Sequence, residues 1–287
     1  MLTDPEFLKR LETLFLLTRK VLGGSMRADR RSQRKGSGIN FADYAEYHFG
    51  DDYRHVDWNI YGRLESLVVK LYEIEEDVTV HFLLDCSPSM EDKFYFAREV
   101  TAALAYIALS CHDKVCIHAV SDQLSPLLRP AHGRGKVFPM LRTLEDAPLI
   151  GGVTDLSACA RTFQRTVKRP GVCVLISDFL VPGGYSEAIK QIQWGRHDVF
   201  CIQTLTPEET KCTWKGDVEL ECMESHERRK VTITSLEVAR YEAALKEWNM
   251  GLKQECSRRG VGYVQAFSNV PFDRVVEIIL RKGGLVA

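Results

Sequence analysis

Asp85, Ser87 and Ser89 stand two residues apart at the end of the apolar run VTVHFLLDCSPSM, 78–90. A β-favouring stretch that ends in a carboxylate and two hydroxyls delivers three hard oxygen donors into one loop, and such donors suit Mg²⁺ or Mn²⁺. Two further oxygens are offered elsewhere. Thr154 follows Gly151 and Gly152 in LIGGVTDLSA, where it is placed to cap the next helix, to serve as a ligand, or both. Asp178 directly follows VCVLIS, as a further ligand or as an ordinary strand-end turn aspartate.

The elements that must position these groups are read from apolar spacing. Val78, Val80, Phe82 and Leu84 share one face of a strand and Leu83 lies on the other, so that strand is central in its sheet. Asp4 and Pro5 open a helix carrying Phe7, Leu8, Leu11, Leu14, Phe15 and Leu22, which is expected to dock on the main body. A strand pattern at 64–73 precedes the central strand. A helix bearing Phe96, Val100, Ala103, Leu104, Ile107 and Cys111 follows it. Further strands are predicted at 114–120, 171–177, 198–204 and 262–266, with a weaker extended segment at 124–129. Helices are predicted at 133–145, 154–167, 186–194, 236–259 and 271–281, and a hairpin near 217–234 interrupts the alternation. Strand and helix otherwise alternate. That order predicts an α/β fold with a doubly wound, mostly parallel sheet, whose ligands gather at the carboxyl ends of the strands. Asp85 and Asp178 both fall at such ends.

The chain has 287 residues, of which 45% are hydrophobic and 27% charged, as expected of one large globular domain or two small ones. Lys and Arg total 38 against 39 for Asp and Glu, so no global field favours nucleic acid, and none is expected as a partner. Arg27, Arg30, Arg31, Arg34 and Lys35 form a local basic run before Gly36, Ser37 and Gly38, read as an exposed mobile connection or an RNA contact. No apolar run approaches the roughly 20 residues of a membrane span, and the first ten residues lack the order of a secretory signal. A soluble, cytoplasmic protein is expected. The nine cysteines include no CxxC pair and are expected to be reduced, mostly buried thiols. GRGK at 133–136 falls short of a phosphate loop, and neither GxSxG nor HExxH occurs.

Asp85, Ser87, Ser89, Thr154 and Asp178 together resemble the metal-ion-dependent adhesion site of von Willebrand factor A domains. The resemblance implies a von Willebrand factor A-like fold, with Mg²⁺ or Mn²⁺ held by hydroxyls and water-bridged carboxylates. It also implies an open position for an acidic residue from a partner. An aspartate after a buried strand likewise begins phosphatases with an aspartyl nucleophile, so a Mg-dependent phosphatase-like hydrolase using Asp85 is the alternative. DCSPS lacks the second aspartate of DxDx[TV].

A second signature lies upstream, at 40–76. Phe41, Tyr47, Gly50, Asp51, Asp52, Arg54, Asp57, Trp58, Arg63 and Glu73 resemble the bacterial family called domain of unknown function 58. Ala45 and Glu46 stand where that family usually carries an arginine. Gly50 to Asp52 read as a turn, Asp51, Asp57, Arg54 and Arg63 as groups with signs to pair, and Trp58 as an anchor. A structural clasp or a catalytic cluster would both use them. The family implies a non-enzymatic adaptor for a MoxR-type AAA+ ATPase, chaperone-like, coupling it to a client protein that supplies the acidic ligand. The expected division is 1–75, packed on a von Willebrand factor A-like domain at 76–287, with the hairpin insertion at about 213–235.

Overall fold

Pro5 presets the φ of a first helical turn and Asp4 stands ready to cap it. In the computed structural model, which describes residues 1–22, 31–35, 40–75, 78–224 and 227–281, this opens α1, Pro5–Leu22. Asp4 Oδ1 accepts from the Glu6 N–H at 3.2 Å. Phe7, Leu11 and Leu14 bury one stripe of the helix. Phe7 packs on Phe272 with ring centroids 5.0 Å apart, and Arg10 reaches Asp273 at 2.7 Å. These contacts place α1 through Thr18 with the main body: the chain divides into Met1–Thr18 with Val78–Val286, and Arg19–Asp77. The sequence reading divides the chain at residue 75; here Met1–Thr18 group with Val78–Val286.

Within 19–77, β1 (Arg31–Lys35), β2 (Asn40–Glu46), α2 (Trp58–Leu64) and β3 (Val68–Glu75) follow in order. They form an antiparallel sheet ordered β1–β3–β2. The basic run is thus in part a strand, Arg31 pairing with Glu75 and Lys35 with Leu71 in backbone register. Arg27, Arg30 and residues 36–38 lie outside the described residues.

The larger unit continues with β4 (Thr79–Asp85), α3 (Glu91–Ser110), β5 (Lys114–Val120), β6 (Leu124–His132), α4 (Val137–Glu145) and α5 (Leu156–Thr166). Then come β7 (Val172–Ser177), α6 (Ser186–Trp194), β8 (Asp198–Leu205), the single turn α7 (Pro207–Thr210) and the hairpin β9 (Gly216–Glu221) and β10 (Arg228–Ile233). The chain closes with α8 (Ser235–Arg258), β11 (Gly262–Phe267) and α9 (Phe272–Arg281). The main sheet has the order β11–β8–β7–β4–β5–β6. Its strands run parallel except β6, which is antiparallel to β5. Numbered along the sheet's own strands this is 3-2-1-4-5-6, the doubly wound order whose topological switch lies between β4 and β7. The doubly wound α/β, von Willebrand factor A-like fold expected from the sequence is the fold observed.

One face of the sheet is covered by α5, α6 and α8, whose Leu156, Phe163, Ile189, Ile192, Leu252 and Cys256 pack with Leu83, Leu175 and Cys201. On α3 the apolar residues Phe96, Val100, Leu104 and Ile107 are buried, and this helix packs against β4, α4 and α9. Gly262 permits the closest strand-to-ring approach, since a Cβ there would lie 2.2 Å from the Phe200 ring. Among the described residues no helix is long and apolar enough to cross a membrane.

Candidate functional site

At the switch point β4 ends in Asp85 and the chain turns at once. The Ser87 N–H donates to Asp85 Oδ1 at 3.0 Å, which sets Ser87 and then Ser89 beside the strand end, their Oγ atoms 2.9 Å apart. From the neighbouring β7, Ser177 Oγ donates to Asp85 Oδ2 at 2.5 Å. Asp85, Ser87 and Asp178 are each 1% exposed. Asp178 Oδ1 accepts from the Leu180 N–H at 2.9 Å. Its Oδ2 forms an ion pair with Lys93 Nζ at 2.9 Å. Phe179, next in the chain, holds a φ of 61°, a left-handed conformation that bulky residues rarely adopt. It is fixed there by its N–H on Ser177 Oγ and by its carbonyl, which accepts from Trp248 Nε1.

Thr154 belongs to a loop tied to the first by the Ile150 N–H, 2.7 Å from the Cys86 carbonyl. Gly152 supplies the left-handed turn there, with φ 122°. Thr154 is not the helix cap. Asp155 caps α5 by accepting from the Ala158 N–H at 2.8 Å, and the helix starts at Leu156 rather than 154. Buried Thr154 is turned to another partner: its Oγ1 donates to Glu224 Oε1 at 3.0 Å and its N–H to Glu224 Oε2 at 3.2 Å.

Lys93, Glu209, Ser177 and Glu224 were not anticipated. Lys93 is 1% exposed and also pairs with Glu209, which belongs to the capping box of α7 with Thr206. Its signal was present, because Lys93 shares with Phe96, Ala97 and Val100 the helical spacing of the buried stripe. Burial pulls the Lys93 ammonium down, but Asp178 and Glu209 together outweigh it and hold it above the ordinary lysine value. Burial first, then the neighbouring Asp178 carboxylate, push Asp85 up to about 6, against the Ser177 and Ser87 donors.

These charges do not balance around Asp85. Lys93 is committed to Asp178 and Glu209, and among the described residues no cation forms an ion pair with Asp85. A buried carboxylate of this kind calls for a counter-cation, and the surrounding hydroxyls are the ligand class of a hard divalent ion. The donors present fit Mg²⁺ or Mn²⁺. Among the described residues no three His, Cys, Asp or Glu side chains converge, so hydroxyls would have to complete such a site.

In the smaller unit the signature residues make turn, cap and ion-pair contacts. Gly50 turns the chain with φ 109°, and Asp51 Oδ2 accepts from the His48 N–H at 2.8 Å. Arg54 pairs with Asp52 at 3.0 Å, and Asp57 with Lys70 at 3.0 Å. Asp57 also caps α2 on the N–H groups of Asn59 and Ile60, and Arg63 lies in that helix's last turn. The adjacent Lys70 ammonium holds the Asp57 carboxyl below its usual range. Trp58 is 59% exposed and edge-on to Tyr61.

Fold and site define a doubly wound α/β domain with a hydroxyl and carboxylate cluster at its switch point. Residues 43–249 match the family described as "Protein of unknown function DUF58", and the chain belongs to that family. The uncharacterized protein Rv1480 of Mycobacterium tuberculosis (strain ATCC 25618 / H37Rv) is 26% identical over 238 residues, which span 80% of this chain and 75% of that protein. Among solved structures, the conserved hypothetical protein BatB of Bacteroides thetaiotaomicron is similar at 16% identity and a TM-score of 0.44, over 71% of this chain and 98% of that one. A von Willebrand factor type A protein of Catenulispora acidiphila is similar at 12% identity and a TM-score of 0.38, over 75% and 44% of the two chains. The fold assignment rests on this chain's own strand order and polarity.

Proposed function

We propose that the chain is a non-enzymatic, metal-dependent protein-binding adaptor. Asp85, Ser87, Ser89, Thr154 and Asp178 act as a metal-ion-dependent adhesion site for Mg²⁺ or Mn²⁺, and a client protein supplies an acidic ligand. The observation that carries this reading is Asp85, a buried carboxylate among hydroxyls with no paired cation among the described residues. The bound ion would supply a hard positive centre to which a carboxylate from outside adds. The chain's own residues set the stage for it. Ser177 and the Ser87 amide orient Asp85, and Lys93 takes up the charge of Asp178, leaving the local charge lower than two free carboxylates would make it. Both Asp85 oxygens accept hydrogen bonds and Ser87 stands where a DxDx enzyme carries its acid and base, which speaks against a nucleophilic Asp85.

From the family resemblance, the partner on the other side is a MoxR-type AAA+ ATPase in the cytoplasm. The adaptor would couple it to a client during maturation of a protein complex or in a stress response. Calorimetric titration of Mg²⁺ and Mn²⁺ into the purified chain tests the metal site. Saturable binding in wild type, lost in Asp85→Ala, is expected. Absence of binding in wild type, or equal binding in both, overturns it.

A further inference from the structure

The β9–β10 hairpin carries a carboxylate onto the site residue that the sequence could connect to nothing. Both strands are almost wholly exposed and, among the described residues, pair only with each other, Gly216 against Ile233 through Glu221 against Arg228. An isolated two-stranded hairpin of that kind is marginal in water and has little buried apolar surface to hold it down. Its turn nevertheless holds Glu224 half-buried against Thr154, with both carboxylate oxygens accepting, at 3.0 and 3.2 Å, from one residue 70 positions away in the chain. The site residue is buried and the element that reaches it is not. That combination is a specific tether on a displaceable arm.

We propose that Glu224 is the chain's own occupant of the acidic-ligand position at Thr154, so that the β9–β10 hairpin masks the site until an outside carboxylate displaces it. The inference rests on the proposed reading of Thr154 as a ligand of the ion to which the client's carboxylate adds. It adds a competitor in cis. A client's aspartate or glutamate must then exchange with Glu224 rather than bind an open position, and the freed hairpin, with Met223 already 45% exposed beside Glu224, becomes available to the partner. Exchange of one carboxylate for another keeps the Thr154 donors satisfied in both states, so neither state leaves buried polar groups bare.

Hydrogen–deuterium exchange on the full chain decides the matter. In Glu224→Ala the amides of 216–233 should exchange about tenfold faster than in wild type, while 79–85 and 172–177 stay protected. Thr154→Val should move the hairpin in the same direction. Acetate titrated into wild type as a free carboxylate should release the hairpin, and should add nothing further in Glu224→Ala. Equal hairpin exchange in wild type and Glu224→Ala, with the sheet protected in both, overturns the inference, as does release by acetate that is as large in the variant as in wild type. Mn²⁺ titration run alongside separates the two readings. Absence of Mn²⁺ binding in wild type overturns the metal site, and the exchange difference between wild type and Glu224→Ala still decides the mask.

Discussion

Two clusters of buried titratable groups lie in the same sheet and are handled in opposite ways. At the carboxyl edge, Asp85 and Asp178 accept hydrogen bonds from Ser87, Ser177 and Leu180, and Asp178 is ion-paired with Lys93. Within the body, His81 of β4, His118 of β5 and His197 before β8 gather round Phe163, with ring centroids between 5.1 and 5.9 Å apart. Among the described residues, His81 Nδ1 and His118 Nε2 have no hydrogen-bond partner. Burial first, then the other two imidazoles, push His81 down to about 3, and burial lowers His118 and His197 as well. The histidines are therefore neutral aromatic packing. Burial alone does not mark a site. What separates the two clusters is whether hydrogen-bond donors and a cation are arranged on the buried groups.

Removing the charge that stabilises the first cluster should have the largest effect. Lys93→Met leaves Asp178 buried without its cation, and unfolding in urea should show a loss of about 3–5 kcal/mol. Lys93→Met with Asp178→Asn should lose clearly less than Lys93→Met alone. Unchanged stability in the single variant would erase the contrast, because Lys93 would then be as passive as the histidines.

The second cluster predicts a smaller effect with a definite sign. His81 has a folded-state value below its unfolded one, so the unfolded chain binds the proton first as pH falls through about 6.5. Its contribution is present above that pH and lost below it. The stability difference between wild type and His81→Leu should shift against wild type by about 2 kcal/mol between about pH 7.5 and about pH 5. Taking the difference cancels the other groups that titrate there. A pH-independent difference would mean that His81 is charged in the fold and belongs with the first cluster.

Asp85 and Asp178 were legible in the sequence because each ends a strand buried on both faces, and such strands announce themselves in VTVHFLLD and VCVLISD. β2 and α2 were not. NFADYAE has too mixed a polarity to show a period of two, and the cap at Asp57 looked like an ion-pair partner. Lys93 was readable from its place on a buried stripe, at helical spacing from Phe96, Ala97 and Val100. Glu224 had no local signal at all, since its contact with Thr154 depends on where the hairpin comes to rest.

The smallest effect bears on two neighbours that sequence reasoning merged. Thr154 was read as both cap and ligand, and the structure divides those tasks, giving the cap to Asp155 and the buried hydroxyl to Thr154. Asp155→Ala should therefore cost about 1 kcal/mol, the worth of one N-cap, and leave Mn²⁺ binding and hairpin exchange as in wild type. Thr154→Val should do the reverse, because the Asp155 cap on the Ala158 N–H survives while the hydroxyl that meets Glu224 is gone. Paired urea and calorimetric titrations of the two variants check this directly. If Asp155→Ala instead weakened Mn²⁺ binding more than Thr154→Val, the oxygen completing the site would be the exposed carboxylate, and the hydroxyl would be left as a docking point for the hairpin alone.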